Sequence, residues 1–307
     1  MGMSQSNLGL GILAGISTGI FWGIPFLAPQ MLHGFSALEI AFGRFFFFGV
    51  ISFFFLRRVW SILFQMSWLN RGKLLLLCAS GFWLYSIVLF QGVQSTDGII
   101  SSLIVGLLPI TIPLFTKGRN HSGFSFFFGL LLLLFGLLNL VFYPVLNGMK
   151  SVRAPSVSGT IELLLCLGLW TGFAIKNTRF LQTNTWIPRK DFASVMGVVS
   201  LLSILPFFLA KVDLNEFVHR DGFGLYLMIS MALGFGSSWL ANWLWNICSF
   251  HCPPEISGPL IVSETVFGLL YSFIHEGRLP RGYEAASIFL FLVGVFVTVR
   301  SQMKVKN

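Results

Sequence analysis

Ten apolar stretches fill nearly the whole chain of 307 residues, and each is about long enough to cross a lipid bilayer. A spanning helix needs about 20 mostly apolar residues, because the hydrocarbon core of a bilayer is about 30 Å thick. The sequence therefore predicts an all-α integral membrane protein with ten transmembrane helices. The ten runs are 8–28, 37–56, 74–93, 97–116, 124–143, 157–176, 191–210, 222–246, 257–275 and 283–300.

The composition excludes a water-soluble fold. Hydrophobic residues make up 55% of the chain and charged residues only 10%, whereas about 25% of an ordinary soluble domain is charged. The mean hydropathy is +0.81. The longest connections between runs, 57–73, 144–156 and 177–190, are too short to form a soluble domain. Whatever the protein does must therefore take place within or across the membrane.

The basic residues predict which side of the membrane each connection faces. The net charge is +9, but the basic residues are dispersed between apolar runs, which argues against nucleic acid as a partner. Cytoplasmic loops collect Lys and Arg, and a cytoplasmic N-terminus puts 13 of the 20 basic residues inside. Both termini are therefore expected in the cytoplasm, with a plasma (inner) membrane location if the chain is bacterial. The 13 residues are Arg57, Arg58, Arg71, Lys73, Lys117, Arg119, Lys176, Arg179, Arg189, Lys190, Arg300, Lys304 and Lys306.

The first run carries a glycine at every fourth position. Small residues at this spacing leave a flat face on a helix, so that a neighbouring backbone can approach closely. The pattern predicts tight packing of the first helix. No basic segment precedes this run, so we expect a retained helix and not a cleaved signal peptide. The glycines are Gly11, Gly15, Gly19 and Gly23.

The two halves of the chain, 1–150 and 151–307, correspond weakly to each other. Runs one and six each place a Trp near a Gly, and runs four and nine each contain a proline. Since each half has an odd number of runs, the second half must enter the membrane from the opposite side. The sequence predicts two inverted five-helix repeats, an architecture that places the substrate near the bilayer midplane. The matching residues are Trp22, Gly23, Trp170, Gly172, Pro109 and Pro259.

Charged side chains within apolar runs are costly in lipid and are therefore candidates for function. Glu264 in run nine is the strongest candidate, because a buried carboxylate can carry a proton or pair with a substrate ammonium. The alternative is an ion pair with a basic residue of a neighbouring helix. Arg44 in run two could bind a substrate carboxylate or extend to the interface. Glu39, Asp97, Glu162, Lys176 and Asp191 lie near helix ends, where interfacial water is the simpler explanation.

Run eight carries a polar and aromatic face. Four of its residues follow the spacing i, i+3, i+4, i+7 and so share one side of a helix. Indole rings and amides suit a planar or cationic metabolite. An interfacial aromatic belt with amide contacts between helices is the alternative. Together with residues of runs one, two, three and nine, the predicted binding residues are Trp22, Arg44, Trp83, Tyr85, Trp239, Asn242, Trp243, Asn246, Ser263, Glu264 and Tyr271.

The ten runs, the Trp22-Gly23 pair, Arg44 and the block from Pro259 to Gly294 resemble the EamA-type branch of the drug/metabolite transporter (DMT) superfamily. Within that block, residues 275–280 resemble the Gly-Glu turn of the family. The resemblance implies two repeats of five helices and export or exchange of small metabolites. It also implies a central cavity, lined mainly by the third, fourth, eighth and ninth helices with help from the first and sixth.

The leading hypothesis is a secondary transporter for an amino acid or an amino-acid-derived compound such as S-adenosylmethionine. One buried acid, one buried base and many aromatic rings suit such a zwitterion. The alternatives are an integral membrane enzyme acting on lipid and a transporter of nucleotide sugars or drugs. No ATP-binding P-loop occurs in the sequence, which argues against primary active transport by this chain alone. Cys248 and Cys252 have no His cluster nearby, so no metal is expected, and no cofactor is expected either. The expected partners are a small metabolite and the bilayer, and both a monomer and a homodimer remain open.

Overall fold

The computed structural model describes residues 7–115, 124–147, 156–252 and 260–304, and every regular element in these ranges is a helix. The prediction of an all-α fold is therefore confirmed for this part of the chain. Of the residues named above, Lys117, Arg119, Pro259 and Lys306 lie outside it. The helices are α1 Leu8–Trp22, α2 Ile24–Met31, α3 Ala37–Phe53, α4 Leu56–Gln65, α5 Trp68–Cys78, π1 Ala79–Trp83, α6 Leu84–Ser95, α7 Gly98–Val105, α8 Leu108–Phe115, α9 Phe124–Leu146, α10 Val157–Thr183, α11 Arg189–Lys211, α12 Leu214–His219, α13 Phe223–Met231, π2 Ala232–Leu240, α14 Ala241–His251, α15 Val262–His275 and α16 Gly282–Lys304.

Six helical segments within the described ranges are long and apolar enough to cross a membrane. A seventh is obtained if α3 and α4, which are bent by 97° relative to each other, count as one span. Two further apolar helices, Gly98–Ile112 and Gly282–Thr298, are shorter. A multi-pass membrane protein therefore follows, while the number of ten crossings stays a prediction. The six segments are Leu8–Met31, Trp68–Ser95, Phe124–Pro144, Val157–Thr183, Asp191–Lys211 and Phe223–His251.

Helix α4 occupies part of the segment 57–73, which the sequence pattern assigns to a connection. Val59 and Ile62 of this helix are buried and pack with Val195 of α11 in one apolar cluster. The neighbouring Arg57 and Arg58 are exposed. An apolar side at this spacing stabilises a helix that lies against the bundle, so the chain turns after α3 and does not continue as a straight span.

Close helix crossings depend on glycine. A methyl group on Gly294 of α16 would lie 2.8 Å from the carbonyl oxygen of Gly129 in α9. Gly11 of α1 similarly faces α14, where an added carbon would lie 2.6 Å from the Cys252 sulfur. Gly19 faces α15, where the Ser263 Oγ would be only 2.1 Å away. The glycines of run one therefore lie in close packing interfaces, as their spacing predicts.

Replacing Gly19 by Ala should destabilise the fold by about 1–3 kcal/mol, because the added methyl overfills a packed interface. The methyl would also lie 2.7 Å from the backbone carbon of Ser263, which a rotamer change cannot relieve. Gly168→Ala is the matched control, since nothing lies within 4 Å of its added carbon. Thermal unfolding in detergent should show a lower midpoint for Gly19→Ala alone. Equal midpoints for the two variants would contradict the close contact.

The connections between spans lie alternately at the two ends of the bundle, and those at the same end contact each other. At the first end, the Arg220 guanidinium donates to the Gly34 carbonyl at 2.9 Å, and the Gln94 amide donates to the Phe35 carbonyl at 2.9 Å. At the second end, the side chain of Asn70 donates to that of Asn184 at 2.9 Å. The first end is the one predicted to face away from the cytoplasm, and this orientation stays a prediction.

An ion pair holds the first end together. Arg220 donates to both carboxylate oxygens of Glu39 at 3.0 and 2.9 Å, and Glu39 is only 3% exposed. Partial burial lowers the pKa of Arg220, but its hydrogen bonds to Glu39 and Glu216 raise it by more, so the pKa lies above its ordinary value. The guanidinium therefore stays charged throughout the physiological range.

Candidate functional site

Arg44 lies at the centre of a polar cluster within the bundle. Its Nε donates to the Ser238 Oγ at 2.9 Å, and its two terminal nitrogens donate to Ser86 at 3.2 Å and Ser237 at 3.4 Å. All three serines are buried. A guanidinium presents its donors in a fixed planar fork, so hydroxyls from α6 and π2 fix its orientation without neutralising its charge.

The π-helical segments help to place these serines. Ser237 and Ser238 belong to π2, and Ser86 follows π1 by three residues. A π-helix has a wider turn than an α-helix and is frequent at functional sites. Gly234 of π2 also permits a close approach to α3, since an added carbon there would lie 2.6 Å from the Arg44 carbonyl oxygen. The backbone of π2 therefore comes close enough for its serines to reach the guanidinium.

Glu264 lies near Arg44, in the first turn of α15. The charges of the two side chains interact, yet no ion pair within 4.0 Å joins them in the described residues. The described chain also provides the Glu264 carboxylate with no hydrogen bond. Both side chains belong to helices of the bundle and are partly accessible. Glu264 therefore keeps accessible surface that takes no hydrogen bond from the described residues.

Aromatic rings lie beside this charged pair. Tyr85 is buried and lies within electrostatic range of both Arg44 and Glu264. Its ring packs against Trp170 of α10 with centroids 4.9 Å apart. The structure thus brings together three of the predicted residues, Arg44, Tyr85 and Glu264. It adds Trp170 and the three serines to them.

Three other predicted residues lie where α1 meets α14 and α15. The Ser263 hydroxyl donates to the carbonyl of Leu260 at 2.6 Å, and the Tyr271 hydroxyl donates to the Ile20 carbonyl of α1 at 2.9 Å. Trp22 packs against Trp245 with ring centroids 5.4 Å apart. In this conformation, Ser263 and Tyr271 use their hydroxyls on backbone carbonyls.

The predicted face of run eight lies elsewhere. Trp239, Trp243 and Asn246 line a groove of about 440 Å³ together with Ser194 and Phe55, and Trp243 is 53% exposed. Arg44, Tyr85 and Glu264 do not line this groove. The structure therefore places this face apart from the central charged pair.

The other two predicted residues are Asn242 and Trp83. The Asn242 amide donates to the carbonyl of Ser238, four residues earlier near the end of π2. Trp83 stacks on Phe207 with ring centroids 5.1 Å apart, and its indole N–H has no hydrogen-bond partner in the described chain. This free donor lies in the residue that ends π1, three positions before Ser86.

A recess of about 580 Å³ opens at the first end of the bundle, separate from the groove beside α14. Both halves of the chain contribute to it, His33 and Asp97 from the first and His275 and Glu276 from the second. The connections that close this end of the bundle therefore surround an opening whose lining can carry charge.

No family model matches the chain. The inner membrane protein YtfF of Escherichia coli (strain K12) is 27% identical over 320 aligned positions, which cover 95% of each chain. An uncharacterized transporter of Haemophilus influenzae is 33% identical over 86 residues, or 28% of this chain and 49% of its own length. One crystal structure superposes with a TM-score of 0.63 at 16% identity and covers 97% of this chain and 99% of its own. That likeness shows that the two proteins share a fold.

Proposed function

We propose that the protein is a secondary transporter that moves a small organic metabolite across the membrane by alternating access, as an exporter or an exchanger. The observation that carries the proposal is the partly accessible Arg44–Glu264 pair inside the bundle. Ionisable residues in such positions mark substrate and ion pathways. The names of the two relatives, an inner membrane protein and a transporter, support the same function. Neither name denotes an enzyme.

The chemistry of the site favours a zwitterionic cargo. Glu264 has no protein partner in the described residues and can pair with a cargo ammonium. In the described residues the hydrogen bonds of Arg44 all go to neutral hydroxyls, so its charge can attract a cargo carboxylate. The rings of Tyr85 and Trp170 offer a surface for an apolar or cationic side group. An amino acid or an amino-acid-derived compound such as S-adenosylmethionine combines these features.

The proposal includes two inverted five-helix repeats, 1–150 and 151–307. Helix packing supports it, because α3 contacts α11, α7 contacts α15 and α9 contacts α16, each with its counterpart five runs later. The pairing of α1 with α14 likewise corresponds to that of α10 with α6. A π-helical segment also interrupts the third run of each half. Inverted repeats of this kind rock against each other around a fixed site.

We place the protein in the inner membrane with both termini in the cytoplasm. The name of the Escherichia coli relative supports the membrane. The excess of basic residues at the second end supports the orientation.

A counterflow screen in proteoliposomes tests the proposed function. Vesicles loaded with one unlabelled metabolite should accumulate the same labelled metabolite, with saturation, for at least one amino acid or amino-acid derivative. Protein-free vesicles are the control for leakage. Accumulation of nucleotide sugars or drugs alone would overturn the cargo class. Chemical conversion of lipid without any exchange would replace the transporter by the membrane enzyme.

A further inference from the structure

A polar recess of about 550 Å³ lies at the second end of the bundle, beside helix α4. Arg57, Arg58, Ser61 and Gln65 of α4 line one side, and Trp186 lines the other. None of these residues takes part in the central cluster around Arg44. The recess is therefore a second place where a charged group can bind.

The recess carries excess positive charge. The side chain of Arg58 is 61% exposed and contacts the Asp191 carboxylate at 3.4 Å. Arg57 is exposed and forms no hydrogen bond or ion pair with any described residue. Asp191 thus balances one guanidinium at most, and the donors of Arg57 remain free for an anion.

Exposed apolar side chains belong to α4 and to the residues just before and after it in the chain. Phe54 is 85% exposed, Phe64 73% and Trp68 83%. Because α4 turns by 97° from α3 and Trp68 begins the segment Trp68–Ser95, these aromatic side chains lie at one end of the bundle. Aromatic rings next to arginines are typical of the boundary between headgroups and acyl chains. An apolar surface of this size is unfavourable in water and is typical of a site that contacts a membrane or a partner.

We propose that this recess binds the phosphate headgroup of an anionic phospholipid from the adjacent leaflet. Arg57 and Arg58 donate to the phosphate oxygens, as guanidinium groups do in charge-assisted pairs, and Ser61 and Gln65 offer further donors. The acyl chains lie against the exposed rings of Phe54, Phe64 and Trp68. A free phosphate could accept hydrogen bonds from the arginines but would not cover this apolar surface.

Native mass spectrometry of the full-length protein in detergent tests the proposal, with added phosphatidylglycerol or phosphatidylcholine as the probe. The intact protein should retain phosphatidylglycerol in preference. The double variant Arg57→Gln/Arg58→Gln should bind it more weakly, by about 5-fold for each arginine removed. Lys176→Gln/Arg179→Gln is the matched control, because it removes two exposed charges of α10 towards the same end. This control should retain the lipid like the intact protein.

Three results would overturn the proposal. One is equal retention of the two lipids by the intact protein, and another is unchanged phosphatidylglycerol binding by the double variant. The third is complete displacement of the lipid by millimolar inorganic phosphate, which would identify a site for free anions. Arg57→Gln alone keeps the test valid if the double variant does not fold, because Arg57 makes no polar contact in the described chain. Its expected loss is about 5-fold.

Discussion

Replacing Glu264 by Gln should lower the rate of cargo counterflow by about 30-fold or more. The substitution keeps the shape of the side chain but removes the charge that pairs with a cargo ammonium. Truncating one partner of a buried charge pair costs about 2–5 kcal/mol of binding. If the carboxylate also carries a proton through the transport cycle, the variant should lose the dependence of flux on pH. Initial rates in proteoliposomes over a range of pH values measure both effects.

Asp221→Asn is the matched control for this experiment, because Asp221 is an exposed carboxylate in the connection before α13. Its rate should equal that of the intact protein. The melting temperature of Glu264→Gln should also stay close to that of the intact protein, since the described structure shows no bond of the carboxylate that the amide would break. A Glu264→Gln protein that transports normally at every pH would remove Glu264 from the mechanism.

Replacing Arg44 by Lys should lower counterflow by about 10-fold or more and leave the protein folded. Lysine keeps the charge, but its single ammonium cannot reproduce a planar fork that reaches three hydroxyls. Replacing Arg44 by Ala should in addition lower the free energy of unfolding. Ser86, Ser237 and Ser238 would then lose a buried partner, and an unsatisfied buried polar group costs about 1–3 kcal/mol. Counterflow and thermal unfolding in detergent measure the two effects.

Arg179→Lys is the control for Arg44→Lys, because it makes the same exchange at an exposed position on α10. It should change neither transport nor stability. Normal counterflow by Arg44→Ala would show that the cargo does not use this guanidinium. An unchanged melting temperature for the same variant would contradict the three hydrogen bonds.

Much of the fold follows from the apolar pattern. Run length predicts helices because lipid leaves the backbone no other hydrogen-bond partners. The glycine spacing in α1 predicts close packing against a neighbouring helix, because every fourth residue lies on one face. Arg44 and Glu264 stand out as charges within apolar runs. The proximity of these two side chains depends on how helices that are distant in the sequence pack together. The residue pattern of a single helix does not predict that packing.

Other features escape sequence reasoning for identifiable reasons. Glu39 and Asp191 are assigned to interfacial water, but both are buried and paired with Arg220 and Arg58. These partners lie 181 and 133 residues away in the chain. The π-helix before α14 changes the angle between successive residues. A spacing based on 3.6 residues per turn therefore does not predict on which side of the helix Ser237 lies. Two adjacent serines in an apolar run are the sequence signal from which Ser237 could have been predicted as a site residue.

The claim that cargo binds between two rocking halves can be tested by distance measurements between spin labels. One pair, at His33 and His275, spans the recess at the first end. The other, at Phe55 and Phe250, spans the groove beside α14. Double electron–electron resonance on the reconstituted protein should show one distance lengthening as the other shortens when a counterflow substrate is added. Two distances that stay fixed, or that lengthen together, would contradict alternating access.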